Sequence, residues 1–143
     1  MQLSGTVRES ILNSIDEDIG TSSPEVRFYV TGGATPANSA ATITLNNPAF
    51  LAAAAGTATS GQMDLNTATT LQDTTPAGNA SPVTRLCFYT GSGAGASAWL
   101  LQLGIATSGT PDITMSNNTI ATTDTVQLTS LRITCPEGSA DAS

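Results

Sequence analysis

Enzyme chemistry needs side chains that can be tuned to give or take a proton, or that can hold a metal, and this chain has few. Its 143 residues include no Lys, no His, four Arg, eleven Asp plus Glu and two Cys. Without His or Lys, a serine or cysteine nucleophile has no ordinary base beside it. Zinc sites use Cys and His in number, which Cys87 and Cys135 alone do not supply. Paired carboxylates could in principle hydrolyse a glycoside, but Asp64, Asp73, Asp112 and Asp124 stand singly in turn-like contexts, where Asp bonds its own backbone. Asp16-Glu17-Asp18 lacks the glycine and closing glutamate that a calcium loop would place after it, so a solvated helix face is expected. Gly91-Ser92-Gly93-Ala94-Gly95 has the glycine of a phosphate cradle, but no helix follows to turn its N-terminus on an anion. The expectation is a chain with no catalytic residue, no cofactor and no metal.

Binding is better supplied. Tyr29 and Tyr89 fall on the outward phase of their strands and could stack on a sugar, which makes a glycan-binding β-sandwich module one reading. Aromatic residues make up only 4% of the chain, and its single Trp, Trp99, fits a core. The second binding feature is an apolar helix stripe, Val7, Ile11, Ile15 and Ile19 at four-residue spacing with Leu12 beside it. The stripe can pack on its own sheet or dock on a partner. Val7, Ile11 and Ile15, together with Phe50 and Leu51, are the candidate partner-contact residues.

These side chains must be positioned by a helix followed by strands. Thr6-Val7-Arg8-Glu9 has the form of a capping box, and Gly20 is a natural stop; residues 1–20 therefore read as a helical arm. From Val26 the period changes to two: Val26, Phe28 and Val30 alternate with Arg27 and Tyr29, a half-buried strand. Thr31-Gly32-Gly33 and Pro36 form a turn. Thr42–Leu45 is a second strand, closed by Asn46-Asn47-Pro48. Ala49–Thr59 is ambiguous between a helical turn and a loop. Gly61–Asn66 is a short strand, and Thr69–Pro82 is a loop rich in turn residues.

Arg85–Tyr89 and Ala98–Ile105 form a hairpin around the glycine-rich tip. Trp99, Leu101, Leu103 and Ile105 share the face expected at the centre of the core, and Leu100 implies some cover on the other face. Asp112–Met115 is a short strand. The last runs from Thr125 to Cys135, where Val126 and Leu128 are out of phase with Leu131 and Ile133; a bulge at Thr129-Ser130 would reconcile them. The expected division is 1–20 helical arm, 21–136 β domain and 137–143 flexible tail.

Composition narrows the function classes. The apolar fraction is 39%, much of it alanine, so the core must be small or completed by association. With 24 Thr and 15 Ser, the surface is solvated by short hydroxyls, which lose little entropy when packed on a partner; Thr also favours strands. A net charge of −7 opposes binding to nucleic acid, which needs phosphates neutralised, and to anionic membranes. No secretory leader or membrane span is expected, since no 18-residue apolar run occurs. Cys87 and Cys135 lie in apolar runs and read as reduced core thiols, with a disulfide as the other reading.

Several short words also resemble those of small virion proteins of tailed bacteriophages. They are the helix Thr6–Leu12, the strand and Tyr-x-x-Gly turn Val26–Gly33, and the Thr-rich strand ending Asn47-Pro48-Ala49-Phe50. Gly104–Gly109, Asp112–Thr119 and the final strand Val126–Pro136 complete the set. Where that pattern has a glycine before the last strand, this chain has Asp124-Thr125-Val126. The resemblance implies an all-β protein, an antiparallel β-sandwich or jelly-roll-like domain with a short N-terminal α-helix. It implies a capsid decoration or cement protein made in the host bacterial cytoplasm and bound in many copies to the major capsid protein shell. It brings no catalytic residue with it. A homotrimer at local threefold positions of the shell is expected first and a dimer second; a tail, fibre or neck component is the alternative within the virion.

Overall fold

A computed structural model describes residues 3–19, 23–30, 39–51, 54–56, 60–89, 99–110 and 112–135, with backbone only at 54–56, 60 and 99. The elements run α1 (Gly5–Ile19), β1 (Glu25–Val30), β2 (Ser39–Thr44), β3 (Ala54–Gly56), β4 (Ser60–Asp64), β5 (Gln72–Asp73), β6 (Val83–Tyr89), β7 (Trp99–Ala106), β8 (Ile113–Thr114), β9 (Val126–Gln127) and β10 (Arg132–Cys135). The described chain is thus mostly β, with one N-terminal helix, as expected. The turn at residues 31–36, the hairpin tip and the tail lie outside the described residues.

The helix is capped two residues before the expected position, and α1 begins at Gly5. Ser4 Oγ accepts from the Val7 amide at 3.3 Å, so Ser4 fills the N-cap role and Thr6 lies inside α1. The buried face also differs. Arg8, Leu12 and Ile19 are buried and Ile15 is partly buried, whereas Val7 and Ile11 are 45% and 41% exposed. A strict four-residue step overshoots the 3.6-residue turn, so Val7 and Ile19 cannot share a face; steps of four, three and four keep Arg8, Leu12, Ile15 and Ile19 together. Arg8 joins the apolar row because its long stem can pack while the head seeks polar partners. It lies on Gly61 of β4, where an added Cβ would stand 2.6 Å from Arg8 Cβ.

Five strands form one sheet in the order β2-β1-β6-β7-β8. The expected β6–β7 hairpin is present, with Leu86 opposite Leu103 and Phe88 opposite Leu101. The sheet is mixed and not purely antiparallel: β8 returns parallel to β7, pairing Ile105 with Ile113. That short return is held by Asp112, whose Oδ2 accepts from the Gly104 amide at 2.7 Å. A second sheet has the order β10-β4-β3, and β5 pairs with β9.

Three expectations change in this region. The segment read as helical turn or loop contributes strand β3, and Phe50 bridges to Leu65. The loop after Thr69 contains the two-residue strand β5. The final run is not one bulged strand. It divides into β9, paired with β5, and β10, paired with β4, and the change of partner between Leu128 and Leu131 removes the phase conflict. Leu128 N donates to Leu71 O, and Leu65 N donates to Leu131 O.

One apolar cluster joins the two larger sheets and the helix. Val26, Phe28, Ile43, Leu86 and Phe88 of the five-stranded sheet meet Met63 of β4, Leu12 and Ile19 of α1, and Phe50. The Phe50 and Phe88 rings lie 5.7 Å apart, tilted. The centre is therefore on β1 and β6, flanked by neighbours on both sides, and not on β7. In β7 only Ile105 is buried, Leu101 and Leu103 are partly buried, and Leu100 is 45% exposed; the side chain of Trp99 lies outside the described residues. The outer edge of β2 is covered: Thr42 N donates to Asp73 Oδ2 at 2.9 Å, and Gly78 N donates to Ala40 O. Covering an edge removes a template for unwanted pairing.

Candidate functional site

The singly placed carboxylates act on the backbone. Asp73 accepts from the amides of Thr42 and Thr75, Asp112 from Gly104, and Asp124 from Ala121. Within the acidic triplet, Asp16 Oδ1 accepts from the Phe50 amide at 2.9 Å and ties α1 to the segment before β3; Glu17 and Asp18 are exposed. Asp64 is different. It holds Arg132 of the neighbouring strand through two hydrogen bonds of 2.6 and 3.0 Å, and that guanidinium keeps the Asp64 carboxyl below its ordinary range. Among the described residues, no group of three or more His, Cys, Asp or Glu converges, and no helix is long and apolar enough to cross a membrane.

The two tyrosines do not face solvent. Tyr29 and Tyr89 are 0% and 1% exposed, their rings meet edge-on with centroids 6.3 Å apart, and their hydroxyls hydrogen-bond at 2.8 Å. Burial pushes the Tyr89 phenol far above its ordinary value, and the bond to Tyr29 adds to the shift. Arg27 lies 5.0 Å from the centroid of the Tyr89 ring and bonds Glu25 Oε2 through Nε and Nη2 at 3.0 and 2.7 Å. Burial opposes the charge on Arg27, but Glu25 outweighs it and the net shift is upward. Cys87 completes the cluster, its thiol pushed up by burial and its Sγ 3.9 Å from Gln102 Oε1. Alternation predicts one buried face for β1, yet both are buried, and the tyrosines are unavailable for stacking on sugar. Cys135 is half-buried on the main core; both thiols are free.

The expected partner-contact residues separate into two groups. Val7 and Ile11 stand exposed one turn apart on the outer face of α1, and Leu51 is 53% exposed. Ile15 leans on the core, and Phe50 is completely buried. Phe50 therefore has no surface to offer, because the same backbone bridge that exposes Leu51 turns its ring inward. Sequence reasoning missed the setting of Leu51. It sits at an open groove of about 500 Å³ whose walls include Leu65, Leu131, Thr129 and the Asp64–Arg132 pair. Only the cross-strand register Asp64↔Arg132 could have revealed it, and sixty-eight residues of chain separate the two.

The surface has little positive charge. Arg8 and Arg27 are buried, Arg85 is half-buried, and Arg132 is engaged with Asp64. Comparison with protein-family models, with curated proteins and with solved structures finds no match to this chain.

Proposed function

We propose that this chain is a non-enzymatic structural protein of a tailed-phage virion, a capsid decoration protein that binds the outer face of the head shell in many copies. The observation that carries the reading is the division of α1 into two stripes. Arg8, Leu12 and Ile19 fasten the helix to its own sheet, while Val7 and Ile11 remain open on the other side. A helix held rigidly by one face presents the other at little entropic cost, which suits a static contact.

The short motifs shared with small virion proteins supply the class of partner. The carboxylates support a structural role, since Asp16, Asp73, Asp112 and Asp124 each hold backbone in place. The two larger sheets are read as the layers of a β-sandwich, supported by the single cluster that joins them. In this account Val7, Ile11 and Leu51 touch the shell, and an oligomer, a trimer first, turns several small contacts into firm attachment.

Copy number in purified virions, measured by quantitative mass spectrometry against the major capsid protein, tests the proposal. Hundreds of copies in simple ratio to the shell subunit are expected. A few to a few dozen would place the chain in the tail or neck, and absence from the particle would overturn the virion reading.

A further inference from the structure

The outward side of α1 carries more than its apolar pair. Steps of four, three and four residues follow the 3.6-residue pitch, so Val7, Ile11, Ser14 and Asp18 lie along one line of the helix, and all four are exposed. This line is separate from the row of Arg8, Leu12, Ile15 and Ile19 that packs on the protein's own strands. Ser14 Oγ donates to Ser10 O at 3.0 Å, so its hydroxyl is satisfied within the helix. The line therefore runs from two apolar side chains, across a small one, to a carboxylate. At a rise of about 1.5 Å per residue, Asp18 stands roughly 10 Å beyond Ile11.

The charge of Asp18 opposes its own helix. α1 has no acidic residue in its first turn and no basic residue in its last, so this carboxylate meets the negative end of the helix dipole with nothing to offset it. Asp18 enters no hydrogen bond or ion pair among the described residues, unlike Asp16, which accepts from the Phe50 amide. Local rules are broken in this way where a residue serves something other than the fold. The chain itself has little cation to offer. It lacks Lys, Arg8 and Arg27 are buried, Arg85 is half-buried, and Arg132 holds Asp64. A second copy, at −7, would bring more of the same sign. We infer that α1 docks on a protein surface with an apolar hollow for Val7 and Ile11 and, roughly 10 Å further along the helix, an Arg or Lys that pairs with Asp18. This rests on the shell-binding reading and adds to it the chemistry of the receiving site and the direction in which the helix lies.

Affinity for purified phage heads, at low and high salt, is measured for the full chain and for Asp18→Asn, Asp18→Lys and Glu17→Gln, with thermal melts alongside. Asp18→Asn should weaken binding about threefold at low salt, the size of an exposed ion pair. That loss should vanish near 1 M salt, where the Debye length is about 3 Å. Asp18→Lys should weaken binding about tenfold or more by setting like charges together. Both variants should melt at or above the parent temperature, since each relieves the helix dipole; a purely structural role for Asp18 would lower melt and binding together. Glu17→Gln removes an equal charge from beside the line and should bind nearly as the parent does. Parental affinity in Asp18→Lys would overturn the inference and leave shell attachment standing. Equal losses in Glu17→Gln and Asp18→Asn would overturn it too, by tracing the effect to net charge alone. A parent chain that does not bind heads would overturn shell attachment and the inference with it.

Discussion

The two faces of β1 are closed to solvent by different means. On one, Val26 and Phe28 join Ile43, Leu86 and Phe88 in an apolar core. On the other, Glu25, Arg27 and Tyr29 lie across from Tyr89, Cys87 and Arg85, and all but Arg85 are buried. The first face is stabilised by removal of apolar area from water. The second is buried because its polar groups bond one another: carboxylate to guanidinium, guanidinium over ring, hydroxyl to hydroxyl. Burial and apolarity are therefore separable, and alternation of polar and apolar residues reports only the second. A polar network is sensitive to the loss of any one member, since the stranded partner keeps its desolvation cost; an apolar core loses stability in proportion to the volume removed.

The largest effect should come from the apolar face. Phe88→Ala removes the ring that meets Phe50 and should lower the unfolding free energy by about 3–5 kcal/mol, read from urea denaturation. On the polar face, Arg27→Met should cost about 3 kcal/mol by leaving Glu25 buried and unpaired. A double variant, Glu25→Gln with Arg27→Met, should recover much of that loss. If the single and double changes cost the same, the pair is not what holds this face.

Tyr89→Phe should cost about 0.5–1.5 kcal/mol, because it removes the hydroxyl–hydroxyl bond while Arg27 remains bonded to Tyr29. Tyr29→Phe should cost more than Tyr89→Phe, because it also takes a hydrogen-bond partner from the buried Arg27. The smallest effect belongs to the exposed Asp64–Arg132 pair, where Asp64→Asn should cost less than about 1 kcal/mol. Its sign with pH is set by the lowered carboxyl of Asp64. The contribution is complete above the ordinary carboxylate range and fades as pH falls through the lowered value, below about pH 4. The difference between parent and Asp64→Asn should therefore shrink in acid, measured by thermal melts across pH.

The same contrast explains what was readable in the sequence. The β6–β7 hairpin was legible, because an apolar run on each side of a glycine-rich stretch needs only local pairing. The helix was legible as an element, but its buried face was not: the four Val and Ile residues catch the eye, whereas the 3.6-residue pitch selects Arg8 with Leu12, Ile15 and Ile19. Tyr29 was misplaced because its partner Tyr89 lies sixty residues away and no local pattern encodes their bond. The division of the last run into β9 and β10 was announced by its phase conflict, yet a bulge and a change of sheet produce the same conflict in sequence. Of the candidate contact residues, Val7, Ile11 and Leu51 stand at the surface, while Phe50 and Ile15 serve the core, a distinction set by packing against Phe88 and β4.

The outer stripe of α1 is the part of the account on which the proposed function turns, and it can be altered without touching either buried face. Val7→Ser combined with Ile11→Ser should leave the unfolding midpoint close to the parent, since surface changes rarely exceed about 0.5 kcal/mol. The measurement is occupancy of this double variant on purified phage heads relative to the parent chain, by mass spectrometry. Occupancy should fall by tenfold or more (about 1.4 kcal/mol per decade) while the melt is unchanged. Parental occupancy with both residues replaced would contradict it.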